Sequence, residues 1–301
     1  MTGPAVVVGA ESLTKRYGRV LALDRLTLQV RAGEVLGFLG PNGAGKTTTL
    51  RLLMGFLRPT AGSARVHGHD AWRDRVAVHA RIGYLPGDVR LWPRLTAREA
   101  AGHLARLRGL DHDQGTVDLA KRLDVDLDRP VRELSKGNRQ KAGLLLALLG
   151  DPDLLLLDEP TSGLDPLIQQ EFHHLLRERV QAGAAVMLSS HVLSEVEHVA
   201  DRVAIIRAGR LLIAESLATL RENARHTVEV RFACPPPPDA FAAVPGITDV
   251  RLDGRLLRCT MQGAVDPLVK TLGRYTVTDL NSREADLEDT FLALYGQEDP
   301  R

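Results

Sequence analysis

A chain of 301 residues, at roughly one domain per 150 residues, has room for about two domains and a sizeable core. Its 44% hydrophobic and 26% charged residues are ordinary globular usage, which excludes disorder throughout, a collagenous chain and a membrane-spanning profile. The 39 basic and 38 acidic side chains leave a net charge of +1, so no whole-molecule field draws the chain onto nucleic acid or anionic lipid, and any polyanion must be met locally.

The start, Met1 to Val8, has a short apolar stretch without a basic lead or a small-residue cleavage site, so it does not read as a secretory signal. The alternation in Leu26 to Val30 predicts a half-buried strand and Glu34 to Leu39 a buried one. A glycine-rich turn follows, and Leu50, Leu53, Met54 and Leu57 then recur at helical spacing, which predicts a helix over Thr47 to Leu57. Apolar runs at Ile82 to Leu85, Leu154 to Leu157, Ala184 to Leu188 and Val203 to Ile206 alternate with helical stretches. That order is α/β: a mostly parallel sheet covered by helices. From Thr96 to Gly150 the pattern is helical nearly throughout, which reads as a helical subdomain inserted into the sheet domain at about 94–150. The longest apolar run, Ala142 to Gly150, falls far short of the roughly 20 residues that cross a bilayer, so the chain is not expected to span a membrane by itself.

After about Arg225 the texture changes. Thr227 to Phe232 alternates, Pro235 to Pro238 leads into a short helix near Asp239 to Val244, and two runs flank the hairpin signal Asp253-Gly254. A helix over Val265 to Leu272, a strand over Thr276 to Leu280 and a last helix over Leu287 to Tyr295 complete the order βαββαβα, that of a small ferredoxin-like unit. The expected division is therefore 5–225 and 226–301. The two cysteines, Cys234 and Cys259, lack metal-site spacing and read as two small buried hydrophobes.

Gly40-Pro41-Asn42-Gly43-Ala44-Gly45-Lys46-Thr47 fits the Walker A pattern, with a strand before it and a helix after it. A loop that wraps a phosphate needs unusual backbone angles and inward-pointing N–H groups, and the helix opening at Thr47 and Thr48 adds partial positive charge. Lys46 is placed to reach the β- and γ-phosphates of a nucleotide, and Thr47 to put its hydroxyl on Mg²⁺. The buried run Leu154 to Leu157 delivers Asp158 and Glu159 at the C-terminal end of a strand, where ligands sit in open α/β sheets. One carboxylate, Asp158, suffices for the metal's water shell, and Glu159 is left to polarise the attacking water.

With these motifs in place the chain resembles the ATPase subunit of an ABC transporter, particularly the bacterial drug- and antibiotic-exporter type. Leu134-Ser135-Lys136-Gly137-Asn138-Arg139-Gln140 resembles the signature, Ser162-Gly163-Leu164-Asp165 the D-loop, Ser189-Ser190-His191 the switch histidine, and Tyr17 the aromatic that stacks on adenine. The resemblance implies a P-loop NTPase fold with an accessory C-terminal domain, and Mg²⁺-dependent ATP hydrolysis with Glu159 and His191 as catalytic residues. It implies that Ser135, Gly137 and Asn138 serve the nucleotide of a second ATPase subunit, a homodimer completing two sites. It implies a separate membrane permease, a place on the cytoplasmic face of the membrane, and export, with cargo set by the permease. No nucleic acid is expected. The Leu85 to Leu95 stretch, with Trp92, lies where this family receives the membrane partner. Two departures stand out: Gly87-Asp88 replaces a usual glutamine, and Lys136 and Asn138 replace the usual glycine and glutamine of the signature. The alternative, a soluble ABC ATPase acting on ribosomes or DNA, is opposed by the single Walker A and by the span of 87 positions from Thr47 to Leu134 (134 − 47), which has no CxxC pair.

Overall fold

The computed structural model describes residues 4–110, 113–222, 225–263 and 265–284, so the expected helix over Leu287 to Tyr295 lies outside the described residues. The chain divides into two compact units between Ala214 and Glu215.

The first unit opens with a long hairpin, β1 (Val6–Tyr17) and β2 (Val20–Arg31), paired antiparallel from Val6 with Arg31 to Tyr17 with Val20. Next come β3 (Val35–Leu39), α1 (Lys46–Leu53), β4 (Ala61–Val66), β5 (His69–Asp70), α2 (Arg75–His79) and β6 (Ile82–Leu85). The expected helix to Leu57 stops at Leu53, because the chain reverses through Gly55 at φ 64 and the amides of Phe56 and Leu57 turn back to Arg51. The helical subdomain holds α3 (Ala97–Arg108), α4 (Asp113–Arg122) and α5 (Lys136–Leu148). A capping box starts α3: Thr96 accepts from the Glu99 amide while the Glu99 side chain accepts from the Thr96 amide.

The chain then returns to the sheet with β7 (Leu154–Asp158), α6 (Pro166–Gln181), β8 (Ala185–Ser190), α7 (Leu193–Glu197), β9 (Arg202–Arg207) and β10 (Arg210–Ser216). A six-stranded sheet runs β10-β9-β3-β8-β7-β6, and its β9/β3, β3/β8, β8/β7 and β7/β6 pairs are parallel. Every residue of β3, β7 and β8 is buried, as expected of parallel strands covered on both faces. A second, antiparallel sheet runs β2-β1-β4-β5, and side chains of α1, including Leu50 and Leu53, share one core with Leu13 and Leu26 of that sheet and Leu156 and Met187 of the other.

The second unit contains α8 (Leu217–Glu222), β11 (Arg225–Phe232), β12 (Ile247–Asp253), β13 (Leu256–Gln262), α9 (Asp266–Leu272) and β14 (Val277–Glu284). Its antiparallel sheet is ordered β12-β13-β11-β14, so the hairpin β12–β13 and the strand β14 flank β11 as in a split βαβ unit. Val230, Phe232, Phe241, Leu257, Met261 and Leu268 form its own core. The segment expected as a helix near Asp239 to Val244 is instead a run of turns, with Ala240, Ala242 and Val244 each donating three residues back. Hemmed between Pro238 and Pro245, it is too short to propagate bonds four residues apart. Cys259 is buried and its thiol is pushed up to about 11 by burial, whereas Cys234 is exposed, which corrects the expectation of two buried cysteines.

Candidate active site

Between β3 and α1 the chain makes a loop that bounds a cleft of about 210 Å³. Pro41, Asn42, Gly43, Gly45, Lys46, Thr47 and Thr48 line it together with Ala22, Gly87, Asp158 and Glu159. Gly40 and Ala44 stand behind the loop: the Gly40 carbonyl holds Lys46, and Ala44 donates to Pro41 and accepts from Gly209. Gly45 is at φ 113, and a Cβ there would lie 2.8 Å from the Ala22 carbonyl oxygen, so no other residue fits this turn. Gly45 is also the N-cap of α1 and supplies no side-chain cap, and the first turn carries no acidic residue. The amides that open α1 are thus left for a ligand, which is the condition for an anion site at a helix N-terminus.

Lys46 is 6% exposed, with Nζ donating to the Gly40 carbonyl at 2.5 Å and standing 3.3 Å from Glu159 Oε1. Opposite it, β7 ends in Asp158, whose parallel partner across the ladder is Ser189 on β8. The two carboxylate oxygens of Asp158 accept from Thr47 Oγ1 at 2.7 Å and from Ser189 Oγ at 2.6 Å. Glu159 Oε2 faces His191 Nδ1 at 2.9 Å, while Oε1 is buried without a hydrogen-bond partner among the described residues. One cation and two carboxylates therefore surround a small cleft beside uncapped amides. This arrangement suits a phosphate chain carrying a hard divalent cation, for which Thr47 and Asp158 offer the oxygen ligands that Mg²⁺ prefers.

The ABC transporter family model matches residues 23–162. Nod factor export ATP-binding protein I of Ralstonia nicotianae is 34% identical over 98% of this chain and 96% of its own length. The chain belongs to the ATP-binding proteins of ABC transporters. Daunorubicin resistance ATP-binding protein DrrA3 of Streptomyces coeruleorubidus is 36% identical over 99% of this chain and 98% of its own. Rat ATP-binding cassette sub-family A member 2 is 40% identical over 72% of this chain, which spans 9% of that protein. A solved ATP-binding subunit of an ABC transporter superposes with TM-score 0.67 at 28% identity, covering 71% of this chain and 92% of that one. The protein is accordingly an ATP-binding, ATP-hydrolysing subunit, and the soluble ribosome- or DNA-directed alternative is not favoured.

Within this ATP-binding protein, Ser135, Gly137, Asn138, Tyr17 and His191, all named from sequence, do not line the cleft, and neither do Gly40 and Ala44 behind the loop. Ser135, Gly137 and Asn138 stand at the N-terminus of α5, where Ser135 caps the helix by accepting from the Asn138 amide at 3.2 Å. Tyr17 is 44% exposed at the tip of the β1–β2 hairpin, with Lys15 Nζ 5.1 Å from its ring centroid. His191 is brought to the site through Glu159 alone among the described residues. Gly87 lines the cleft, and a Cβ there would lie 3.2 Å from Asp158 Oδ2, whereas Asp88 turns away to pair with Arg90 at 2.7 Å.

Sequence reading gave no role to Ala22, Ser189, Gln140 or Glu195. Ser189 holds Asp158, Gln140 Nε2 donates to the carbonyls of Glu159 and Pro160, and Glu195 Oε2 accepts from both Thr161 and Ser190 at 2.8 Å. Each of these contacts crosses from one element to another. Only Ser189 had a signal: it directly follows the apolar run Ala184 to Leu188, and within β8 its ladder partner on β7 is Asp158.

Proposed function

We propose that this subunit hydrolyses MgATP in the cleft at the end of β3 and β7, with a second copy completing each site, and drives export through a separate permease. The observation that carries the reading is the convergence on Glu159: Lys46 at 3.3 Å, His191 at 2.9 Å, and Asp158 bonded to Thr47 at 2.7 Å beside it. The loop amides from Asn42 to Thr48 and Lys46 bind and orient the β- and γ-phosphates. Thr47 and Asp158 hold Mg²⁺, which when bound neutralises phosphate charge and fixes the phosphate geometry. Glu159 accepts the proton of the attacking water or polarises it, and His191, engaged through Nδ1, keeps Glu159 in place and has Nε2 left for the γ-phosphate. The cleft suits the phosphate chain rather than a whole nucleotide, which leaves the base to the exposed face of Tyr17.

Ser135 and Gly137, at the N-terminus of a 13-residue helix and outside the cleft, serve the nucleotide of the partner copy. The domains are read as an ATPase domain over 5–225 with an inserted helical subdomain, and an accessory domain over 226–301. No helix among the described residues is long and apolar enough to cross a membrane, so a permease supplies the path and holds the subunit at the cytoplasmic face. A trench where the helical subdomain meets α2 and β6 supports such docking: two cavities of about 470 and 160 Å³ share Tyr84, Leu104 and Leu146, and Trp92, which lines the smaller one, is 58% exposed.

Glu159→Gln should bind ATP and lose roughly 10²–10⁴ in turnover. Recovered with MgATP from gently solubilised membranes, it should bring along a polytopic membrane protein, and Trp92→Arg should abolish that recovery with ATP affinity intact. Recovery of ribosomal or DNA-bound proteins alone would contradict the transport reading.

A further inference from the structure

Glu159 adopts φ 50, the left-handed region. A side chain with a Cβ visits that region rarely, and the conformation lasts only where the surroundings over-determine it. Two elements do so here. The Glu159 amide donates to the main-chain oxygen of Ser189 at 3.2 Å and to its hydroxyl at 3.1 Å, which fixes the residue from β8. From the other side the Gln140 amide nitrogen on α5 donates to the Glu159 carbonyl at 3.2 Å and to the Pro160 carbonyl at 3.0 Å. Gln140 is only 5% exposed, and its amide has two N–H donors, so it can serve two neighbouring carbonyls at once.

We propose that Gln140 is a positioning residue for hydrolysis: by holding the carbonyls of Glu159 and Pro160 it keeps Glu159 in its strained conformation, with the carboxylate between Lys46 and His191. This rests on the reading of Glu159 as the group that polarises the attacking water. Without the two donors, the Pro160 carbonyl loses Gln140 and the Glu159 carbonyl keeps only the Ser162 amide at 3.2 Å, so the tie from α5 is gone and the peptide after Glu159 can leave the left-handed region. The carboxylate then swings from its place, and a misplacement of about 1 Å at a reacting group costs on the order of 10²-fold in rate. Nucleotide binding is spared, because Gln140 touches neither the loop amides nor Lys46 nor Thr47.

The test uses the full-length protein and reads kcat for MgATP beside the Kd for adenylyl-imidodiphosphate. Gln140→Met keeps length and volume without a donor, and Gln140→Asn keeps the amide but retracts it by one methylene. Both should lower kcat about 10- to 100-fold with Kd unchanged. Added to Glu159→Gln, neither should lower kcat further, since Gln140 acts through that carboxylate. Wild-type kcat in both variants, a Kd that weakens in step with kcat, or a loss that adds in full to that of Glu159→Gln would overturn the proposal. A Glu159→Gln protein that turns over at the wild-type rate would instead overturn the reading of Glu159 on which it stands.

Discussion

Lys46, Thr47, Asp158 and Glu159 come from two segments more than a hundred positions apart, yet each meets another of the four within 3.3 Å. Their residue types announce phosphate chemistry in the sequence, because a glycine-rich loop ending in Lys-Thr and a buried strand ending in two acids have few other uses. What holds them was illegible. Gln140 and Glu195 bond to main-chain carbonyls and hydroxyls across the fold, and nothing in local spacing announces such partners. The signature divides in the same way. Ser135 caps α5 and its neighbour Lys136 is exposed, so Lys136→Gly should barely change ATPase activity. On the proposed role of Ser135 towards a partner's nucleotide, Ser135→Arg should abolish it, because a long cation would fill the space in front of the helix N-terminus, and an ATPase assay showing equal loss from both would reject that ranking. At Gly87 a side chain would press on Asp158 Oδ2, so glycine at this position leaves room beside that carboxylate.

Among the elements, the parallel strands were legible as apolar runs, since strands buried on both faces carry no alternation to misread. The hairpin tip and most of β1 were not. That strand mixes Gly9, Glu11 and Lys15 into its length and breaks register between Ala10 and Leu13, which hides its period. The short helix expected near Asp239 to Val244 is a run of turns at 238–243, because Pro238 and Pro245 leave too few residues to propagate a helix. Helix α6 and the end of α7 meet through the stacked rings of His173 and His198, centroids 6.4 Å apart. Burial, and then the charge of His198, hold the His173 imidazole below its ordinary value. Below a pH of about 6.5 the unfolded chain takes up a proton that the folded protein resists, so stability present at higher pH is lost as pH falls. His173→Gln should therefore lose less Tm than the wild type between about pH 7.5 and 5.5, and parallel losses would show that this pair does not set the acid response.

At the scale of the whole molecule, the cleft holds the nucleotide-facing loop and the two carboxylates, with His191 joined to it through Glu159, whereas Ser135 and Gly137 present a helix N-terminus elsewhere on the same unit. On the proposed reading, one copy contributes parts of two sites and ATP is the glue between copies. The similarity to full-length export ATP-binding proteins spans both units, so the second unit belongs to the same design and is not an appended stranger. Its strand order β12-β13-β11-β14 is that of the ferredoxin-like unit expected from the order of its elements, with a run of turns in place of the first helix. The most direct measurement is the molar mass of the Glu159→Gln protein by light scattering with MgATP and then with MgADP. A dimer with ATP and a monomer with ADP is the predicted result. A protein that stays monomeric with bound ATP while hydrolysing it at the wild-type rate would contradict both the shared site and the role of Glu159.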